Sequence, residues 1–225
     1  MSLNKILNIK KGDVIAIIGS GGKTTLAYNL AKENTRNKFL LTTTTKMKKS
    51  NYEYINYFYD KLCDELPDGV SFFGKSIEDN KISAICENYL QRLIKQCDIC
   101  VYEADGSKEK PLKAWNSDEP VILQNTNKCI GVMPLFLLGK KLNEDLVHRF
   151  SIFEKTFKTT YFDDELAIKI CREMFKKIDK SIEKYIYFNR VSDELALKNI
   201  ANNLSDFKIF ASLKDSYERI NFWKV

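Results

Sequence analysis

Two kinds of apolar pattern alternate along the chain. Short unbroken apolar runs, of which Val14-Ile15-Ala16-Ile17-Ile18 is the clearest, read as buried strands. Between them apolar residues recur at helical spacing, as Leu26, Ala27, Leu30 and Ala31 do. The pattern predicts strands at 13–18, 38–43, 69–73, 98–103, 129–133, 184–189 and 207–212. It predicts helices at 24–35, 84–96, 141–149, 163–178 and 192–203. Such alternation implies an α/β fold, a mostly parallel sheet with helices on both faces. In these folds ligands bind beyond the carboxyl ends of the strands, so residues at strand ends carry the most functional weight. Two stretches are less regular. Tyr52, Tyr54, Tyr57 and Tyr59 suggest a strand or extended peripheral element, with a helix as the alternative. Residues 104–128 have little periodicity, which marks a functional loop.

The first strand runs into Gly19-Ser20-Gly21-Gly22-Lys23-Thr24-Thr25, and the first helical pattern follows at once. Glycines let the backbone turn tightly and approach a ligand. A helix N-terminus behind them offers N–H groups and a favourable dipole to an anion. Strand, glycine turn, Lys-Thr and helix together bind nucleotide phosphates, with Lys23 on the terminal phosphates and the Thr24 hydroxyl on Mg²⁺. The common form G-x-x-x-x-G-K-[ST] would place glycine at position 17, where this chain has Ile17. The shorter loop resembles the compact G-T-x-G-K-T-T loop of the Mur ligases. The expected fold is therefore P-loop NTPase-like with a Mur-ligase-like short phosphate loop. Residues 1–225 would form one domain, with a nucleotide-binding core at 1–150 and a C-terminal β/α portion at 151–225.

Composition narrows the class. At 225 residues, 44% hydrophobic and 29% charged, the chain reads as a soluble globular protein. No run approaches the length of a membrane span, and Met1 to Leu7 lacks a signal-peptide core, so a cytoplasmic location is expected. The net charge of +6 comes from interspersed lysines, which argues against nucleic acid as a partner. Cys97 and Cys100 form C-x-x-C entering a strand. Alternation would send their sulfurs to opposite faces, so the cysteines are read as reduced packing residues rather than a metal site.

Candidate chemistry sits at strand ends. The second strand runs into Thr42-Thr43-Thr44-Thr45-Lys46. Thr44 or Thr45 is expected to hold Mg²⁺ or its water, and Lys46 to offset phosphate charge. The fourth ends at Glu103-Ala104-Asp105-Gly106, where Glu103 and Asp105 share a face if the strand continues. Both are candidates to bind Mg²⁺ or orient a nucleophile. Lys108, Lys110 and Lys113 follow and offer cations to an anionic substrate. Arg149, beside the single His148 near the end of a helical pattern, is a candidate phosphate clamp. Asn189 ends a later strand and is read as a nucleotide-base contact. Asp193 serves equally well as the cap of the helix beginning near Glu194.

The set G-S-G-G-K-T-T, T-T-T-T-K, E-A-D-G-S-K-x-K-P-L-K-A, E-P-V-I and V-H-R-F resembles the YqeC family, in order across residues 13–150 and more loosely to the C-terminus. Members are described as accessory proteins of selenium-dependent molybdenum hydroxylases. The resemblance implies a bacterial cytoplasmic protein that helps mature molybdenum hydroxylases carrying a labile selenium cofactor. Its partners would be a nucleotide and a molybdenum hydroxylase or its cofactor-maturation proteins, with no membrane. The resemblance also strengthens the site roles of His148 and Arg149.

Three functions are expected. The first is an Mg²⁺-dependent accessory factor that binds and hydrolyses a nucleoside triphosphate, with ATP the expected nucleotide. In it Gly19, Ser20, Gly21, Gly22 and Thr25 cradle phosphates, Lys23 stabilises charge, and Thr24 with Glu103 or Asp105 holds Mg²⁺. The second is a small-molecule kinase or ATP-dependent ligase. The third is a non-catalytic protein that binds and delivers a cofactor.

Overall fold

β-branched residues fill the first strand because both of its faces are covered, and the chain folds around it. The computed structural model describes residues 1–49, 51–77, 80–213 and 222–225. Its strands are β1 (Asp13–Gly19), β2 (Phe39–Thr43), β3 (Met47–Lys48), β4 (Ile55–Tyr59), β5 (Val70–Ile77), β6 (Lys81–Ser83), β7 (Ile99–Glu103) and β8 (Leu112–Lys113). They continue as β9 (Lys128–Pro134), β10 (Lys140–Lys141), β11 (Val147–His148), β12 (Tyr161–Phe162), β13 (Glu183–Val191), β14 (Lys208–Leu213) and β15 (Phe222–Lys224). The helices are α1 (Leu3–Ile6), α2 (Lys23–Glu33), α3 (Glu87–Ile94), α4 (Phe150–Phe157), α5 (Asp164–Met174) and α6 (Glu194–Asn202).

The main sheet runs β15-β14-β13-β9-β1-β7-β2-β5-β6-β3, with β4 also paired to β5. Pairings from β14 through β5 to β4 are all parallel, and β15, β6 and β3 add antiparallel edges. This is a mostly parallel α/β sheet, as expected, and its C-terminal strands extend the same sheet that β1 centres. From β1 the chain goes to β2 on one side and later returns through β7 to β9 on the other. The connections diverge beside β1, so the crevice beyond its carboxyl end is where a ligand is expected.

Alternation along β1 divides the core. Val14, Ala16 and Ile18 pack with residues of α3, α4, α5 and α6, whereas Ile15 and Ile17 pack with α1 and α2. Helices therefore cover both faces. Asp163 and Asp193 cap α5 and α6, each accepting from backbone N–H groups of the first turn.

Several expectations change. The tyrosine-rich segment contains strand β4, whose Tyr57 and Tyr59 rings pack near Phe72. The helix predicted at 141–149 is absent, and α4 begins at Phe150 instead. Leu142, Leu146 and Phe150 have helical spacing, but Val147–His148 pairs with Leu112–Lys113, so ladder geometry outweighs local periodicity there. The C-x-x-C thiols stay close enough to influence each other, which holds Cys97 below the usual thiol range and Cys100 above it, and Cys97 Sγ donates to Ile94 O at 3.3 Å. Strand β7 starts at Ile99, so Cys97 lies outside the alternation. Both thiols are free.

At the amino end of the sheet, Lys128 Nζ lies 2.8 Å from both carboxylate oxygens of Asp13, and all of these atoms are buried. The pair locks β1 against β9. Asp13→Ala would leave the buried ammonium with only the more distant Glu183 carboxylate, 3.8 Å away, at a cost of up to about 3–5 kcal/mol. Urea unfolding should show this loss, and the double change Asp13→Leu with Lys128→Met should recover most of it.

Candidate functional site

The glycine loop crosses the carboxyl end of β1, and neighbouring strands set its shape. Gly19 has φ +92°, and a Cβ there would meet Val132 O of β9 at 2.3 Å. Gly22 has φ +139°, and a Cβ there would meet Asn189 Nδ2 of β13 at 2.3 Å. No side chain with a Cβ fits either place without displacing a neighbour. Ser20 N–H donates to Val132 O at 3.0 Å, and Gly19 N–H donates to Asp105 Oδ2 at 2.9 Å. Gly22 is the N-cap of α2 and no side chain caps the helix. The first turn therefore keeps orphan N–H groups facing the loop, the arrangement that receives an anion.

Lys23 is buried. Its ammonium donates to Gly19 O at 2.7 Å and lies 3.2 Å from Asp105 Oδ1. Asp105, fully buried, also accepts from Trp115 Nε1 at 2.7 Å and pairs with Lys113 at 3.2 Å. Lys113 reaches Glu119 at 2.8 Å, and Glu119 receives both terminal nitrogens of Arg149. The result is an alternating chain of charges, Lys23–Asp105–Lys113–Glu119–Arg149. Burial pushes the Lys113 ammonium below its usual range, against the attraction of Asp105 and Glu119. Burial pushes Glu119 up, but Arg149 and Lys113 outweigh it and hold the carboxyl below its ordinary value.

Glu103 and Thr24 form the other half of the site. Thr24 Oγ1 donates to Glu103 Oε1 at 2.5 Å. Burial raises Glu103 above the usual carboxylate range, opposed by Lys23 and the Thr24 hydrogen bond. Both residues line a cavity of about 930 Å³ together with Gly21, Gly22, Lys23 and Thr25. Thr45, Lys46, Lys108, His148 and Arg149 line it as well. Glu103 and Thr24 supply only oxygen donors, the set a hard cation such as Mg²⁺ accepts when phosphates and water complete it. No group of three or more His, Cys, Asp or Glu that could hold a metal alone occurs among the described residues.

Most residues singled out in the sequence converge here, with several displacements. Asp105, expected beside Glu103 as a metal ligand, does not line the cavity. Strand β7 ends at Glu103, so the shared face is lost and Asp105 turns under the loop. Thr44, expected at the metal, donates to the carbonyls of Glu103 and Val121, and Thr45 lines the cavity instead. Lys110 reaches Glu144 O, and Lys113 is buried among the acids, which leaves Lys108 of that trio at the cavity. Asn189 Nδ2 donates to Gly21 O at 2.6 Å, so its amide supports the glycine loop. Arg149 stands at the N-cap of α4 in left-handed conformation, not at a helix C-terminus.

Sequence reading did not single out Trp115, Pro134 or Glu119 as site residues. Their neighbours along the chain give no sign of the partners they meet. Pro134 lies against Gly21, where a Cβ would be 2.7 Å from its Cγ.

Comparison with known proteins adds a family. A family profile described as YqeC protein matches residues 15–151. The chain is 29% identical over 199 residues to a protein of Escherichia coli (strain K12) called "Uncharacterized protein YqeC", covering 81% of this chain and 78% of that protein. No solved structure matches. No helix among the described residues is long and apolar enough to cross a membrane.

His148 is half-buried in the cavity wall. Desolvation, with Arg149, Lys113 and Lys108 nearby, lowers it from 6.5 to about 4. The folded protein thus resists a proton that the unfolded chain takes up below about 6.5, so stability falls as pH drops from there to about 4. Melting temperatures between pH 7 and pH 4 should decline less steeply for His148→Asn than for the wild type. Equal slopes would mean that His148 is already protonated in the folded protein.

Proposed function

The chain belongs to the YqeC family, and from that premise we propose an Mg²⁺-dependent nucleotide-binding and hydrolysing accessory protein. The resemblance supplies its pathway, maturation of selenium-dependent molybdenum hydroxylases. The observation that carries the chemistry is the uncapped N-terminus of α2, opening into the cavity behind a glycine loop and a buried lysine. A triphosphate is the polyanion that this arrangement suits, and ATP is the nucleotide proposed.

The orphan N–H groups of the first turn would bind phosphate oxygens. Lys23 would leave Gly19 O and Asp105 to meet the terminal phosphate, where it offsets charge that builds during transfer. Asp105, still held by Gly19 N–H, Trp115 and Lys113, would keep the loop in place. Thr24 and Glu103 would hold Mg²⁺, which when bound neutralises charge on the phosphate oxygens. An oxygen nucleophile, from water in the first instance, would attack the terminal phosphorus in line. Transfer to a small-molecule acceptor is the second reading, favoured by the extent of the cavity beyond the loop.

Calorimetric titration of ATP, GTP and CTP with Mg²⁺ tests the proposal. Wild type should bind one triphosphate, and Lys23→Ala should weaken that binding by about ten- to a hundredfold, the loss expected for one charge-assisted hydrogen bond. Because Lys23 also neutralises Asp105, the melting temperature of the variant should be recorded alongside. Absence of binding by all three in folded wild-type protein would overturn the nucleotide reading.

A further inference from the structure

The cavity is larger and more cationic than a phosphate loop requires. Its volume of about 930 Å³ stands near the top of the roughly 300–1,000 Å³ range of small-molecule sites. Six cationic side chains line it, Lys23, Lys46, Lys48, Lys81, Lys108 and Arg149, against three carboxylates, Glu103, Glu109 and Glu119. Each carboxylate already has a partner. Glu103 accepts from Thr24, Glu119 is held by Arg149 and Lys113, and Glu109 lies 3.3 Å from Lys48. Lys46 and Lys108 make no ion pair among the described residues, and both are exposed to the cavity mouth.

Sheet order separates these two lysines from the phosphate loop. The loop rises from β1, Lys108 follows β7 next door, and Lys46 follows β2 one strand further out. With strands spaced by about 4.8 Å, the end of β2 lies about 10 Å from that of β1. A triphosphate seated on α2 would therefore leave the Lys46 and Lys108 wall for another group. The turn carrying Lys108 is held in a costly shape. Lys108 and Glu109 are consecutive left-handed residues, with φ 49° and 61°, and Glu109 lies 3.3 Å from Lys48, two residues beyond Lys46.

We infer that a second, anionic small molecule, bearing a carboxylate or phosphate group, binds between Lys46 and Lys108 beside the nucleotide. The inference rests on the nucleotide reading of the loop, and it replaces Lys110 and Lys113 with Lys46 as the partner of Lys108.

The test is titration of inorganic phosphate, and separately succinate, into full-length protein saturated with Mg²⁺ and its nucleotide. The expected result is saturable binding of at least one of these, which also identifies the preferred anionic group. The double variant Lys46→Ala/Lys108→Ala should weaken that binding at least tenfold and weaken nucleotide binding by a clearly smaller factor. Both lysines are exposed, so the variant should fold, and its melting temperature checks this. Absence of binding by both probes would overturn the inference. So would unchanged binding in the double variant, or equal loss of nucleotide and probe. If wild type binds no nucleotide, the titration is repeated on the bare protein against Lys23→Ala. Probe binding lost in the double variant and kept in Lys23→Ala would support the second site although the nucleotide reading had failed. The opposite pattern would overturn the second site.

Discussion

The structure of the site depends on one fully buried carboxylate, Asp105, held between two buried lysines. Removing a carboxylate from water costs several kcal/mol unless charges and hydrogen bonds compensate it. Asp105 has both kinds of partner: Lys23 and Lys113 on either side, and N–H donors from Gly19 and Trp115. The partners come from two parts of the chain, Gly19 and Lys23 from the loop and the start of α2, Lys113 and Trp115 from the segment after β7, so the compensation exists only when both are in place. Glu119 and Arg149 extend the alternation to the far wall of the cavity. Loss of Asp105 leaves Lys23 without its counterion and loss of Glu119 does the same to Arg149, whereas loss of one cation leaves each acid with its other partner.

Geometry around the glycines answers the same need from the opposite side. Val132, Pro134 and Asn189 close on the loop from β9 and β13, and Asp105 holds it from beneath. A loop fixed in this way does not pay for its ordering when a ligand arrives, because its backbone is already set. What remains adjustable is Lys23. Its ammonium rests on Gly19 O and Asp105, two partners that a phosphate oxygen can replace.

Beyond the loop, function follows from how strand order distributes charge. Glu103 stands at the carboxyl end of β7, between the loop on β1 and the tail of β2. Among the described residues it is the one acid that lines the cavity and meets no cation within ion-pairing distance, its hydrogen bond coming from the neutral Thr24. On either side lie cations, Lys23 toward β1 and Lys46 with Lys108 toward β2. A buried acid flanked by cations on both sides is an arrangement that would suit a phosphorylated small molecule, as proposed above.

The sequence by itself determined the α/β alternation and the strand–loop–helix unit, offered Asp193 as a cap, and named Lys23, Thr24 and Glu103, which line one cavity. These are local matters: hydrophobic period, glycine freedom and side chains that bond their own backbone act within a few residues. The same local reasoning misled at 141–149, where pairing of β11 with β8 overrode helical spacing, and at Cys97, which lies two residues before its strand. It misplaced Asp105 because nothing local shows that β7 stops at Glu103. Only the tertiary structure decided that Asp105 and Lys113 are buried partners of Lys23, that Trp115 and Glu119 join them, and that Asn189 supports Gly21. Those interactions link residues brought together by sheet order, and electrostatic pairing across such distances leaves no periodic trace along the chain.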